Sequence, residues 1–235
     1  QYNISPEKIL GLNSSGISVN KMLEKKTPLD HLKTEGATIT PNGAMFKTDS
    51  QGFLPEMIQK IYNERVVFKK RMLKAKAEYQ KTKEPSLVKE IARCHNIQWA
   101  RKIALNSCYG AIGNQYFRYY DVRQASAVTT AGQFIIRFIE EKVNEYLNQV
   151  LQTKSEIDYI IASDTDSIYV SLDKLVEKTC KDKTDDQIAD FIGRVCDSRL
   201  EPYIEKQFAE LADYTNAFKN AMVMKREVIA NKGIW

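Results

Sequence analysis

Apolar positions along the chain fall into two rhythms, one helical and one extended. From Pro55 to about Lys83, Met57, Ile58, Ile61, Tyr62, Phe68, Met72 and Ala75 recur at helical spacing. Glu84-Pro85-Ser86 breaks the pattern. Ser86 is expected to cap a second helix running from Leu87 towards Tyr109-Gly110. Two long helices joined by so short a break are expected to fold back antiparallel. Further helices are expected from about Asp121 to Leu151 and from about Asp185 to Tyr214. Ala37–Thr40 and Ala44–Lys47 flank Pro41-Asn42-Gly43, which predicts a hairpin. Tyr159-Ile160-Ile161-Ala162 and Ile168-Tyr169-Val170 predict a second hairpin, with a tight turn at residues 163–167. A strand is expected near Ala221–Ala230, and residues 1–35 read as irregular apart from a short helix after Pro6. Helices and strands mix without βαβ regularity, so the expected class is α+β. There is no internal repeat and no low-complexity segment.

Composition bounds this picture. At 235 residues, with 43% hydrophobic and 28% charged positions, the chain can bury a sizeable core in one or two domains. No uncharged apolar run reaches membrane-spanning length, so no membrane partner is expected. The start, Gln1-Tyr2-Asn3-Ile4, has no signal-peptide layout. It also lacks an initiator Met, so the chain is expected to begin inside a larger protein. Four scattered cysteines and two histidines argue against a zinc site and for reduced thiols in a cytosol.

Net charge is only +5, but it is concentrated: residues 60–83 hold nine basic side chains against Glu64 and Glu78, leaving −2 elsewhere. A basic face of that density predicts a polyanionic partner, nucleic acid or nucleotide phosphate. A solvated charged helix is the plainer reading.

Candidate chemistry sits at two places. Side chains at i and i+2 of an extended chain point the same way, so Asp164 and Asp166 are expected to present two carboxylates to one spot. Hard divalent cations take such oxygen ligands, although most Asp-x-Asp pairs, taken alone, are solvated acidic turns. On the second helix, Lys102, Asn106 and Tyr109 follow one face, with Gly110 beside them. Arg65 and Lys69, four apart on the preceding helix, are expected to converge with Lys102 on one phosphate-binding surface. The plainer reading makes Tyr109 core and Lys102 surface.

The two places together carry a resemblance. Lys102 through Asn106-Ser107-Cys108-Tyr109-Gly110 resembles the fingers-helix motif of family B DNA polymerases. Asp164-Thr165-Asp166-Ser167 resembles that family's palm hairpin. Ala111–Asn114, Phe117–Asp121 and Lys142–Asn148 resemble the T-even-type phage replicative members. Asn3-Ile4-Ser5-Pro6-Glu7 resembles the segment just after their first palm motif. The similarity covers nearly the whole chain, with a shorter fingers hairpin. That first palm motif, which supplies a metal-binding Asp and the Tyr that screens the sugar 2′ position, would lie before Gln1. Ser163 stands where phage relatives usually have Gly, and Lys225 where some have an acidic residue.

The resemblance implies an antiparallel palm sheet with helices and a long helical fingers hairpin. Residues 1–54 would be palm, 55–112 fingers, and 113–235 an incomplete palm, without the thumb or exonuclease. The implied reaction is template-directed transfer from a deoxynucleoside triphosphate to a primer 3′-hydroxyl, using two Mg2+ ions or Mn2+ in their place. Asp166, Asp164 and, more weakly, Glu227 would be metal ligands. Arg65, Lys69, Lys102, Asn106, Tyr109 and Gly110 would bind nucleotide, with Lys102 also a proton donor. Asn114 and Tyr119 would touch DNA. Implied partners are primer–template DNA, the triphosphates, the remaining polymerase segments and a sliding clamp, in the cytoplasm of a phage host. Alone, the chain is expected to be inactive. Two other readings stay open: a metal-dependent glycosyltransferase built on the Asp-x-Asp turn, and a non-catalytic nucleic-acid-binding module.

Overall fold

The computed structural model describes residues 1–13, 16–153, 157–181 and 183–233. Strand β1 (Ile9–Leu12) leads to two short helices, α1 (Val19–Leu23) and α2 (His31–Glu35), and to the hairpin β2 (Ala37–Ile39) and β3 (Ala44–Lys47). Three long helices follow: α3 (Phe53–Thr82), α4 (Pro85–Ile112) and α5 (Val122–Leu151). Then come the hairpin β4 (Ile160–Asp164) and β5 (Ser167–Val170), and helices α6 (Asp173–Thr179) and α7 (Asp185–Val195). A π-helical turn (Cys196–Leu200) joins α7 to α8 (Glu201–Tyr214).

Helix α5 organises the core because its apolar residues form one stripe. Ala131, Phe134, Phe138, Ile139, Val143, Leu147 and Leu151 are buried, at mostly three- and four-residue steps. Met22 of α1, Leu32 of α2, Ile39 of β2, and Phe208 and Leu211 of α8 belong to the same cluster. Burying each large apolar side chain contributes roughly 1.5–3 kcal/mol, so this stripe dominates the stability of that layer. Asp121 caps the start of α5 by accepting from the Arg123 N–H at 2.9 Å.

The sheets are small and antiparallel, as expected of an α+β fold. One runs β1-β3-β2; the other is β4-β5 alone. Ile39 faces Met45 across β2 and β3. The turn between them needs Gly43: its φ is +86°, and a Cβ there would come within 2.9 Å of the Asn13 carbonyl oxygen.

Helices α3 and α4 form the expected antiparallel hairpin. Arg101 of α4 donates to Glu64 of α3 through Nε at 3.0 Å and Nη2 at 2.9 Å. Nearer the tip, Arg71 Nε lies 2.6 Å from Glu90. The tip is only Lys83 and Glu84, with Lys83 left-handed at φ +56°.

Three expectations are corrected. Residues 1–35 are not irregular with one helix after Pro6: they hold β1, α1 and α2. Ser86 does not cap α4, because the helix already starts at Pro85, where a missing N–H costs nothing. Ser86 instead donates to Glu84 at 2.5 Å. Residues 221–230 form no strand. Their alternation is real, since Met222 and Met224 pack on the core. But the Arg226 N–H goes to the Glu201 carboxylate at 3.0 Å rather than to a neighbouring strand.

Candidate functional site

The Asp pair sits at the β4–β5 turn. Asp164 ends β4 opposite Ser167, so Thr165 and Asp166 make the turn. Thr165 has φ +50°, and the Asp166 N–H reaches back to the Asp164 carbonyl at 2.5 Å. The two aspartates are therefore not alternate positions of one extended strand. The turn, rather than the two-residue period, sets how they are placed relative to each other. Both are solvent-exposed. Asp164 Oδ1 accepts from the Thr165 hydroxyl at 2.9 Å, and neither carboxylate has a cationic partner among the described residues. Two carboxylates without cationic partners offer the oxygen donors a hard divalent cation takes. Among the described residues no third carboxylate, histidine or thiol completes the group. Glu227, on the segment that follows α8, is thus not brought to Asp164 and Asp166.

The cations of the α3–α4 hairpin divide into two sets. Arg71 and Arg101 are held by glutamates between the helices, and Arg101 also lies 5.8 Å from the Phe68 ring centroid. Arg65, Lys69 and Lys102 have no carboxylate partner among the described residues. Arg65 is half-buried, and its Nε is buried without a hydrogen-bond partner. Lys102 is exposed, its Nζ 5.1 Å from the centroid of Trp99, which itself stacks on His95. Asn106, Tyr109 and Gly110 continue along α4; all three are exposed, and a Cβ at Gly110 would meet nothing within 4 Å. Tyr109 is thus not core, contrary to the plainer reading.

The hairpin has two feet. At the α4 foot the Asp121 N–H donates to the Ile112 carbonyl at 3.1 Å. Asn114 turns the chain there: its side-chain oxygen accepts from the Tyr116 N–H at 3.0 Å. Tyr119 lies between the feet, its ring 5.2 Å from Phe53 at the start of α3 and 5.7 Å from Phe117. The α3 foot is held by residues that sequence reasoning did not assign. Asn3, left-handed at φ +54°, donates to the carbonyls of Lys47 at 2.8 Å and Ser50 at 2.9 Å, and accepts from the Gly52 N–H at 2.8 Å. Glu7 accepts from the Phe53 N–H at 2.8 Å, and Ser5 Oγ from the Leu54 N–H at 3.3 Å. Burial pushes the Glu7 carboxyl up, but hydrogen bonds from Ser5 and the Phe53 N–H outweigh it and hold it below its ordinary value. The Asn-x-Ser-x-Glu spacing was the only signal available, and its partners lie more than forty residues away.

Comparison with known proteins settles the lineage. The model for DNA polymerase family B matches residues 1–212. The chain belongs to DNA polymerase family B. Across 98% of its length this family B chain is 34% identical to the DNA-directed DNA polymerase of Escherichia phage RB69. The corresponding figure is 33% for that of Enterobacteria phage T4. It also resembles the DNA polymerase beta of an African swine fever virus isolate from Malawi, 27% identical over 72% of the chain and 14% of that protein. The chain spans 30% of the length of either phage relative. The alignments to them run over 273 residues, more than the chain possesses, so the phage proteins carry extra residues inside the matched span. Both motif stretches that suggested the family, Lys102–Gly110 and Asp164–Ser167, fall inside the matched region. Family membership removes the reason for the glycosyltransferase reading. No helix among the described residues is long and apolar enough to cross a membrane.

Proposed function

We propose that this chain is the fingers and much of the palm of a template-directed DNA polymerase. In this reading residues 1–54 and 113–235 are palm and 55–112 fingers. The observation that carries it, in a chain of family B, is the antiparallel pairing of α3 with α4. That pairing sets the helix bearing Arg65 and Lys69 against the one bearing Lys102 and Asn106.

In the proposed reaction a primer 3′-hydroxyl attacks the α-phosphorus of a deoxynucleoside triphosphate. A new phosphodiester forms, the α–β anhydride breaks, and pyrophosphate leaves. Phosphoryl transfer asks mainly for positioning and charge neutralisation. Arg65 grips phosphate oxygens through its planar fork, which Lys69 and Lys102 support as point charges. Lys102 also donates a proton to the departing pyrophosphate. Asn106 orders the same face, while Tyr109 and Gly110 lie against the nascent base pair. Asn114 and Tyr119, at the foot of the hairpin, contact the DNA. Asp166 and Asp164 would hold magnesium, with a further ligand expected from the family's first palm motif. An ion held there would supply charge neutralisation for the transferring phosphate.

The test is direct binding by the chain of dATP with Mg2+, against primer–template DNA. Arg65→Ala and Lys102→Ala are expected to weaken dATP binding strongly and to leave DNA binding nearly unchanged. Loss of DNA affinity with dATP binding intact would make the basic face a nucleic-acid-binding module instead.

A further inference from the structure

We infer that Asn3, Ser5 and Glu7 are positioning residues: a clamp that sets the pose of the α3–α4 hairpin on the rest of the fold, and so the placement of Arg65 and Lys69. The inference rests on the nucleotide-binding reading above for the role of those two cations. The clamp itself rests on geometry alone.

A helix of thirty residues is a long lever about its first turn. Helix α3 packs along α4, so a small tilt at Phe53 moves Arg65 and Lys69 by several ångströms. What holds that first turn is unusual. Gly52, its N-cap residue, has no side chain to satisfy the exposed N–H groups of the helix. The segment 3–8 supplies the acceptors from outside: Glu7 Oε1 for the Phe53 N–H at 2.8 Å and Ser5 Oγ for the Leu54 N–H at 3.3 Å. Ser5 Oγ also donates to Glu7 Oε2 at 2.6 Å, which fixes both acceptors together. Asn3 then ties the incoming loop through its three backbone bonds, and Lys8 Nζ secures the same loop at Asp49 (2.7 Å) and Ser50 (2.6 Å). Asn3 and Ser5 are 2% and 0% exposed, so the bonds these two make lie largely away from solvent, where leaving one unmade costs most. The fit is close: a Cβ on Gly52 would lie 2.5 Å from Ser5 Cβ. A carboxylate at a helix N-terminus also suits the helix dipole. Elsewhere α3 leans chiefly on α4, so the clamp and the Phe53–Tyr119 ring contact are its main ties to the palm.

The experiment uses the full chain and two readouts. The first is independent of nucleotide. Spin labels are placed at exposed Lys74 of α3 and Gln149 of α5 through cysteine, with Cys108 replaced by serine, and their distance distribution is recorded. The parent should give one narrow distribution. Asn3→Ala, Ser5→Ala and Glu7→Ala should broaden or shift it while helix content stays at the parental level. Ser5→Ala keeps the Cβ and removes only the hydroxyl, so it remains informative should Asn3→Ala fail to fold. The second readout is dATP affinity with Mg2+, expected to fall by roughly tenfold or more, because a changed pose shifts the hairpin cations relative to the Asp164–Asp166 turn, and misplacement of a binding group by about 1 Å is enough for that. In an Arg65→Ala, Lys69→Ala background the clamp variants should cost little further affinity, a coupling that mere loss of stability would not produce. Parental distance distributions in all three variants overturn the clamp. A broadened distribution with parental dATP affinity keeps the clamp and overturns its role in placing Arg65 and Lys69 for nucleotide. Absence of any dATP binding by the parent instead overturns the nucleotide reading, and the label distances still decide the clamp.

Discussion

Two aspartates separated by one residue occupy unlike settings. The carbonyl of Asp164 accepts the Asp166 N–H and the Ser167 hydroxyl, and its carboxylate accepts from Thr165. Among the described residues the Asp166 carboxylate has no such bond, and Asp166 is the second residue of the turn. In the proposed reading Asp166 is therefore the shared metal ligand. In a polymerase completed with the family's remaining segments, Asp166→Ala should lower primer extension by at least about a hundredfold, the scale of losing one preorganised electrostatic group. Asp164→Ala should cost less, since water can replace an outer ligand. Equal rates for Asp166→Ala and the parent would refute the assignment. Arg101 provides the contrast on the hairpin. Its partly exposed pair with Glu64 contributes about 1 kcal/mol or less. Arg101→Ala should therefore lower the melting temperature slightly and leave dATP affinity at the parental value. A large loss of affinity would mean that Arg101, not Arg65, faces the phosphates.

Among the elements, those with a local cause were legible in the sequence. The apolar period of α3, the break at Glu84-Pro85 and the stripe of α5 all act within a few residues, so pattern alone locates them. The Pro41-Asn42-Gly43 turn is of the same kind. What the sequence hid depends on distant partners. The β1 strand exists because β3 offers it an edge, and the bonds of Asn3, Ser5 and Glu7 span more than forty residues. The 221–230 segment failed as a strand for the converse reason: its alternation found a core to pack on but no ladder to join. The candidate site divides likewise. The Lys102–Gly110 face could be read from helical spacing, whereas the placement of Asp164 and Asp166 is set by the turn at Thr165 and Asp166, to which the extended-chain argument does not apply.

Two further outcomes belong to this scale. Ile139, fully buried in α5, should cost about 2–5 kcal/mol on Ile139→Ala, as measured by chemical denaturation. Glu7 has its carboxyl held low in the folded state. It therefore contributes stability that is fully present above its ordinary value of 4.5 and is lost as pH falls through the lower folded value. Glu7→Gln should flatten the dependence of stability on pH below about 4.5, and an unchanged slope in acid denaturation would rule that out.

At the scale of the whole molecule, a core built on α5 carries a hairpin that buries little of its own surface. Leu54, Met72, Ala75, Cys94 and Ile112 are the buried apolar residues of α3 and α4. The hairpin thus depends on its feet and on the facing helix for its form. Chemistry should depend on still more. One acidic turn cannot hold two metal ions, so the chain purified by itself should give no primer extension with Mg2+ and all four deoxynucleoside triphosphates. Robust extension in that assay would show that the two aspartates suffice.

The way the hairpin leaves and returns has a consequence for how such a protein can change. Both feet lie beside the Phe53–Tyr119 contact, while the tip is two residues, Lys83 and Glu84, bonded among the described residues only to their own helices. Length added or removed at the tip in whole helical turns alters neither foot and leaves the faces of both helices in phase. Evolution can therefore trim or extend this arm freely, much as a mast can be shortened without moving its step. The same tip is the natural place to splice in a reporter or a foreign peptide without disturbing the machinery at the base.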